Sequence, residues 1–448
     1  ERYRTATLMD EFRILGGEPL HGIVKVGGAK NSALPLMAAS ILTDQPIRLE
    51  HVPRLADVDT LSLLLAGLGV ESVRGTDGAL QMQTVDETPI RAARELVRQM
   101  RASFCVLGPL LARRGRAIVP LPGGCNIGPR PVDLHLKGLA ALGAELDVVD
   151  GDVVARAADL RGAAIDLGGP GGSTVTGTAN VLCAAVLARG ETILRQAARE
   201  PEIADLGHCL NAMGARIAGL GTSTLRITGV GELHGTSYRV IPDRIEAATL
   251  AMAAAITRGS VTLDGVIPEH FGIVIDRLRE TGCNVEVAPH RLRVAADCRL
   301  KPVEIVAEPY PGIPTDVQAQ WIALLSLAKG RSTVRDRVFP GRFQHVPELN
   351  RLGADVAMAG ETALVHGVAR LHGRRVTASD LRASAALVLA GLAAEGETIV
   401  DEIHHLDRGY EKLDDKLRSL GAAIRRTATA PSQMTNAYHR TVTPTCGP

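Results

Sequence analysis

Leu278-Arg279-Glu280-Thr281-Gly282-Cys283-Asn284-Val285-Glu286-Val287 joins the end of an amphipathic helical pattern to an alternating strand pattern. The glycine stands just past the last periodic residue, where a left-handed backbone costs it little. The residues beyond it alternate as a half-buried strand requires. The signature is a Leu, three further residues, a Gly and a small residue. It recurs at Leu65…Gly69-Val70, Leu139…Gly143-Ala144, Leu210…Gly214-Ala215, Leu349…Gly353-Ala354 and Leu417…Gly421-Ala422. The six glycines lie roughly 70 residues apart, longer than ordinary solenoid periods.

A second element keeps the same period. Apolar segments rich in small residues cover 31–42, 101–114, 178–189, 246–258, 316–329 and 382–395. Their lack of a polar face predicts helices buried nearly all round. The repeating unit is therefore a strand, a buried helix, strands, an amphipathic helix and a strand. Six such units, each needing a partner face, predict an α/β protein of two lobes with three units each. Lys30-Asn31, Arg101, Asp316 and Arg382 stand at the starts of buried helices. Charge there fits ends that line a cleft, since a helix N-terminus is a ready anion site. Taken singly, each of these residues reads better as a cap or a surface charge; their repetition along the chain shifts the balance toward a cleft.

Among 448 residues, 46% are hydrophobic but only 2% aromatic, so the core must be built from Ala, Val, Leu and Ile. Fifty basic residues against 49 acidic ones argue against a general nucleic-acid binder. The seven cysteines form no C-x-x-C, so neither a disulfide framework nor a zinc knuckle is indicated, and a reducing cytosol is expected. Glu1-Arg2-Tyr3-Arg4 opens no apolar run of signal-peptide length, and no stretch reads as a membrane span. A cytoplasmic protein without membrane partners is the expectation.

Four segments carry candidate chemistry. Val26-Gly27-Gly28-Ala29-Lys30-Asn31 is a glycine turn into a helix with a lysine at its mouth, without the spacing of a phosphate-binding P-loop. Leu121-Pro122-Gly123-Gly124-Cys125-Asn126-Ile127-Gly128-Pro129-Arg130-Pro131 is too rich in Gly and Pro for a regular element and reads as an exposed loop. Cys105, Cys183 and Cys209 fall in apolar helical patterns and read as core. Cys125 is the cysteine placed for reactivity, with Arg130 near enough in sequence to stabilise a thiolate. Pro309-Tyr310-Pro311-Gly312-Ile313-Pro314-Thr315-Asp316 is a proline-locked approach to a helix, where Asp316 is either a cap or a general base. In Asp407-Arg408-Gly409-Tyr410-Glu411, Arg408 is either a surface charge or a carboxylate clamp.

Together with Met100-Arg101-Ala102-Ser103, Gly108-Pro109-Leu110-Leu111-Ala112-Arg113, Ala198-Arg199-Glu200-Pro201-Glu202-Ile203, Pro242-Asp243-Arg244 and Asp380-Leu381-Arg382-Ala383-Ser384, these segments closely resemble the UDP-N-acetylglucosamine enolpyruvyl transferase family. The likeness runs from about 12 to 426. The sister enzymes of the shikimate pathway share the fold but lack the cysteine loop and the Ala-Lys-Asn turn.

The resemblance implies two lobes, each an inside-out α/β barrel with helices within and sheets outside. One lobe would span 30–240, the other 12–29 with 241–426, and 1–11 and 427–448 would be disordered extensions. It implies that Lys30, Asn31, Arg130 and Arg408 hold phosphoenolpyruvate. Arg101, Arg130, Pro131, Val132, Asp133, Leu134, Ser173, Thr174, Val175, Asp316 and Val338 would contact UDP-N-acetylglucosamine. Arg382 and Arg244 are further cleft candidates. Cys125 would be the general acid and Asp316 the base, with Lys30 and Arg408 completing the catalytic set. In the family, the epoxide fosfomycin alkylates the cysteine matching Cys125.

The implied chemistry asks for an acid near the methylene carbon, a base near the sugar hydroxyl and cations on the phosphate, with no metal or organic cofactor. The sequence departs from the family's usual pattern at Gly27, where Ser is usual, and at Ala179, where Glu is frequent. Two other readings compete. One is a relative passing enolpyruvate to another uridine nucleotide such as UMP. The other is a non-catalytic nucleotide-sugar-binding paralogue, which would be expected to lose the acid, the base or the cations that this chain keeps.

Overall fold

All thirteen residues of helix Arg244–Ile256 are buried, including Arg244 and Glu246 at its start. The run Ala247-Ala248-Thr249-Leu250-Ala251-Met252-Ala253-Ala254-Ala255 explains this, because small side chains on every face let neighbours approach from all sides. Helices Lys30–Ala39, Val175–Ala185, Gln318–Leu325 and Leu381–Ala393 are buried in the same way. Strands such as Thr224–Thr228 instead alternate exposed and buried positions. The computed structural model describes residues 9–123, 132–169 and 171–429.

Six sheets are present among the described residues, and five of them share one order. A strand pairs in parallel with a second, which pairs antiparallel with a third, which pairs antiparallel with a fourth. In one, His21–Lys25 lies parallel to Ser260–Asp264, followed by Arg291–Ala295 and Asn284–Ala288. In another, Glu304–Ala307 is followed by Arg331–Asp336, Thr362–His366 and Asp355–Ala359. The sixth sheet has three strands, and a single parallel bridge from Arg91 to Ile118 stands at the fourth position. The signature glycines 69, 143, 214, 282, 353 and 421 all have φ between 77° and 101°, the left-handed turn their place after each helix demands.

The expected helix 101–114 is split into a 3-10 turn, Arg101–Val106, and an α-helix, Leu107–Arg114. Pro109 falls in the first turn of the α-helix, where its missing N–H is not needed and a new start is favoured. A similar 3-10 turn, Thr315–Val317, precedes Gln318–Leu325. The expected disordered extensions 1–11 and 427–448 need correction at their inner edges. Strand Met9–Leu15 pairs along its whole length with Ala423–Thr429, so residues 9–11 and 427–429 are strand. Arg426 closes the edge, donating to Asp407 Oδ2 at 3.1 Å and lying over the Phe12 ring at 5.2 Å. Among the described residues no helix is long and apolar enough to cross a membrane.

Buried apolar residues fall into two clusters. One takes Phe12 to Val26 together with Ile245 to Ile424, and the other takes Ala33 to Val240. The chain passes between them twice, and the two passages are bonded to each other. Ala29 donates its N–H to Ile241 O at 2.8 Å, and Asp243 donates to Gly27 O at 2.9 Å. Only glycine fits at 28, because a Cβ there would lie 1.7 Å from His51 O. Asp243 caps a helix on each side. Its Oδ1 accepts from Ile245 N (2.8 Å) and Glu246 N (3.0 Å), and its Oδ2 accepts from Lys30 N (3.2 Å). Asp243→Ala should therefore lower unfolding free energy by about 2 kcal/mol, the upper end for a single cap, while Asp243→Asn should cost far less. Denaturant melts of both variants check this.

Candidate functional site

A cleft of about 620 Å³ is lined from both apolar clusters. Lys30, Asn31, Arg101, Asp133, Leu134, Ser173, Thr174, Val175, Arg244, Asp316, Val338, Arg382 and Arg408 all line it. Val132 does not; it packs partly buried against the apolar cluster of its own half. Cys125, Arg130 and Pro131 lie outside the described residues. The Ser173-Thr174-Val175 turn is set by Thr174, whose hydroxyl accepts from Gly177 N at 3.2 Å and so caps helix Val175–Ala185. Ala179 also faces the cleft, so having Ala rather than Glu there removes a carboxylate from its wall.

Two carboxylates organise the cations. Asp57 takes the Lys30 ammonium on Oδ2 at 3.0 Å and Arg408 Nε on Oδ1 at 2.9 Å. Arg408 comes from the 3-10 turn Ile403–Arg408 of one half, while Lys30 and Asp57 begin two helices of the other. Asp316 takes Arg342 Nη1 on Oδ1 at 2.9 Å and Arg382 Nη2 on Oδ2 at 2.8 Å. Asn31 reaches the same Oδ2 at 3.3 Å across the cleft. Asp316 is thus no helix cap, since its oxygens are spent on side chains rather than on backbone N–H groups. Burial pushes its carboxyl up, but the guanidiniums of Arg382 and Arg342 outweigh that and hold it well below the usual carboxylate range.

Arg382 is buried, with its guanidinium 5.3 Å from the centre of the Tyr410 ring. Its Nε and Nη1 are buried with no hydrogen-bond partner assigned among the described residues. Arg244 is differently committed. It makes a forked pair with Glu202, Nε to Oε1 at 2.9 Å and Nη2 to Oε2 at 3.2 Å, which ties the two halves together beside the cleft.

Sequence reasoning missed Arg342 and Asp57. Arg342 follows Phe339-Pro340-Gly341, and the similar composition of Gly128-Pro129-Arg130 in the sequence was available as a signal. Asp57 is an acid in the first turn of helix Ala56–Ala66, where acids are commonplace, so its residue type gave no signal.

A two-part α/β fold with paired cations from both halves facing one cleft defines a class. A family model described as EPSP synthase (3-phosphoshikimate 1-carboxyvinyltransferase) matches residues 14–417, and the chain belongs to that family. Within it, relatives named UDP-N-acetylglucosamine 1-carboxyvinyltransferase are similar over nearly the whole of both chains. The relative from Methylacidiphilum infernorum is 50% identical over 420 residues, and the one from Hyphomonas neptunium 53% over 426; each alignment covers 93% of this chain and 99% of the relative. The crystal structure of the enolpyruvyl transferase NikO from Streptomyces tendae is 27% identical with a TM-score of 0.84, covering 94% of this chain and 99% of that one. An EPSP synthase from Acinetobacter baumannii, at 19% identity and a TM-score of 0.70 over 93% and 100%, shows the shared fold.

Proposed function

We propose that the chain transfers the enolpyruvyl group of phosphoenolpyruvate to the 3-hydroxyl of UDP-N-acetylglucosamine and releases phosphate, the committed step of peptidoglycan synthesis. The observation that carries the reading is the meeting of Lys30 and Arg408 on Asp57, beside Arg342 and Arg382 on Asp316, in one cleft. Four cations on two carboxylates leave positive charge for a substrate that brings up to three negative charges. Identity of about half the residues with relatives named for this reaction supports the choice of acceptor.

In this reading Lys30, Asn31, Arg130 and Arg408 hold phosphoenolpyruvate. Arg101, the segment 130–134, the Ser173-Thr174-Val175 turn and Val338 hold the nucleotide sugar. Cys125 gives a proton to the methylene carbon, and the C2 centre becomes oxocarbenium-like. The sugar 3-hydroxyl adds to C2 as Asp316 takes its proton. Phosphate then leaves from C2 while the new methyl group loses a proton, which restores the double bond as an enol ether. Asp316 is a poor base while Arg382 and Arg342 hold it. A substrate anion that draws on those guanidiniums restores its basicity, so proton abstraction follows loading of the cleft. The two apolar clusters are the cores of two lobes, 30–240 and 12–29 with 241–426, each an inside-out barrel, and both substrates sit between them. Reaction with soluble nucleotide substrates places the protein in the cytoplasm. Phosphate release should depend on UDP-N-acetylglucosamine and be absent with UMP as sole acceptor. Release with UMP at a comparable rate would overturn the choice of acceptor.

A further inference from the structure

We propose that Asp57 is a positioning residue for phosphoenolpyruvate: one carboxylate holds a cation from each half of the molecule so that both face a single anion. The proposal rests on the reading of Lys30 and Arg408 as the phosphoenolpyruvate clamp. Asp57 is 5% exposed, and the Lys30 side chain 11%. An ammonium this buried would be unstable and poorly aimed without an anionic neighbour. The two bonds use different oxygens, so the rigid plane of one carboxylate fixes the separation of the two cations. Asp57 lies in the first turn of helix Ala56–Ala66, where the helix dipole favours its charge and the backbone limits its movement. Among the described residues Arg408 makes one further hydrogen bond, Nη2 to Gln99 O at 3.3 Å, so Asp57 is its charged anchor across the cleft. Two cations on one carboxylate leave a net positive charge. Asp57 therefore aligns the pair without cancelling its attraction for phosphate.

Steady-state kinetics of Asp57→Asn test this. The variant keeps the shape but loses the charge that holds both partners. The KM for phosphoenolpyruvate should rise roughly tenfold or more, as expected when charge-assisted bonds are lost, with the KM for the nucleotide sugar within about twofold. Asp57→Glu keeps the charge and should recover part of the loss; it also serves as the test if the Asn variant does not fold. In an Arg408→Ala background, Asp57→Asn should have a smaller effect, because one of the partners it acts through is gone. A phosphoenolpyruvate KM that falls would make Asp57 a competing anion. An equal rise for both substrates with lowered melting temperature would make it merely structural. An unchanged KM in Asp57→Asn, or in Asp57→Glu where only that variant folds, would remove it from the site. Each of these results overturns the proposal. If Lys30→Ala and Arg408→Ala themselves leave the phosphoenolpyruvate KM unchanged, the clamp reading fails; if they raise it and Asp57→Asn does not, only the present proposal fails.

Discussion

Asp316→Asn should lose turnover by about a hundredfold or more, the usual contribution of a general base, while remaining folded. Asn keeps an oxygen for one guanidinium and the shape of the side chain, but it cannot take a proton. It also leaves Arg382, 3% exposed, without its anionic partner, so some stability is lost with it. The direction with pH follows from the depressed carboxyl. A group held low in the folded state adds stability above the unfolded carboxylate range, and that stability disappears as acid protonates it. The wild-type protein should therefore lose stability in acid through Asp316, and Asp316→Asn should lack that part of the loss. Circular dichroism from neutral pH into acid, run beside phosphate-release kinetics, reads both effects. Near-normal turnover in a folded Asn variant would remove Asp316 as the base.

Cys125→Ala should likewise lose most of its turnover, because the account gives the proton for the methylene carbon to that thiol. Fosfomycin should alkylate wild-type protein once, at Cys125, and faster with UDP-N-acetylglucosamine bound, since a closed cleft orients the epoxide. The thiols among the described residues supply the contrast. Cys105, Cys183, Cys209 and Cys283 are buried, and burial pushes the Cys105 and Cys209 thiols up to about 12 and the other two upward as well. They carry too little thiolate near neutral pH to react. Cys298 is exposed but does not line the cleft, so it controls for unselective alkylation. Cys125→Asp should keep activity and lose the adduct, because a carboxylic acid can also deliver the proton. Intact mass with peptide mapping decides. No adduct on Cys125, or full activity in Cys125→Ala, would take the residue out of the mechanism.

The architecture was legible where local chemistry dictates it. A glycine ending each amphipathic helix has one economical conformation, and all six adopt it. Helices of Ala and Leu with no polar face have nowhere to go but inside, as Arg244–Ile256 shows. The break within 101–114 was not read from the sequence, whose pattern predicts one helix there although Pro109 stands inside it. What else stayed hidden depends on partners distant in the chain. Asp243 looks like an ordinary cap before Arg244, yet its second oxygen caps Lys30, 213 residues away. Asp57 meets Arg408 across 351 residues, and nothing in its own neighbourhood signals that meeting. Asp316 was legible as a polar residue aimed at a cleft. Its hold by two arginines was not, because Arg342 and Arg382 reach it from separate elements.

The central claim is a transfer of three carbons to one hydroxyl, and the structure of the product tests it most directly. Purified protein with phosphoenolpyruvate and UDP-N-acetylglucosamine should yield one equivalent of phosphate and a nucleotide sugar heavier by a single carboxyvinyl group. Nuclear magnetic resonance should place that group on the 3-oxygen of the sugar, with two vinylic protons. A product bearing the group elsewhere, or phosphate release with the nucleotide sugar recovered unchanged, would contradict the account.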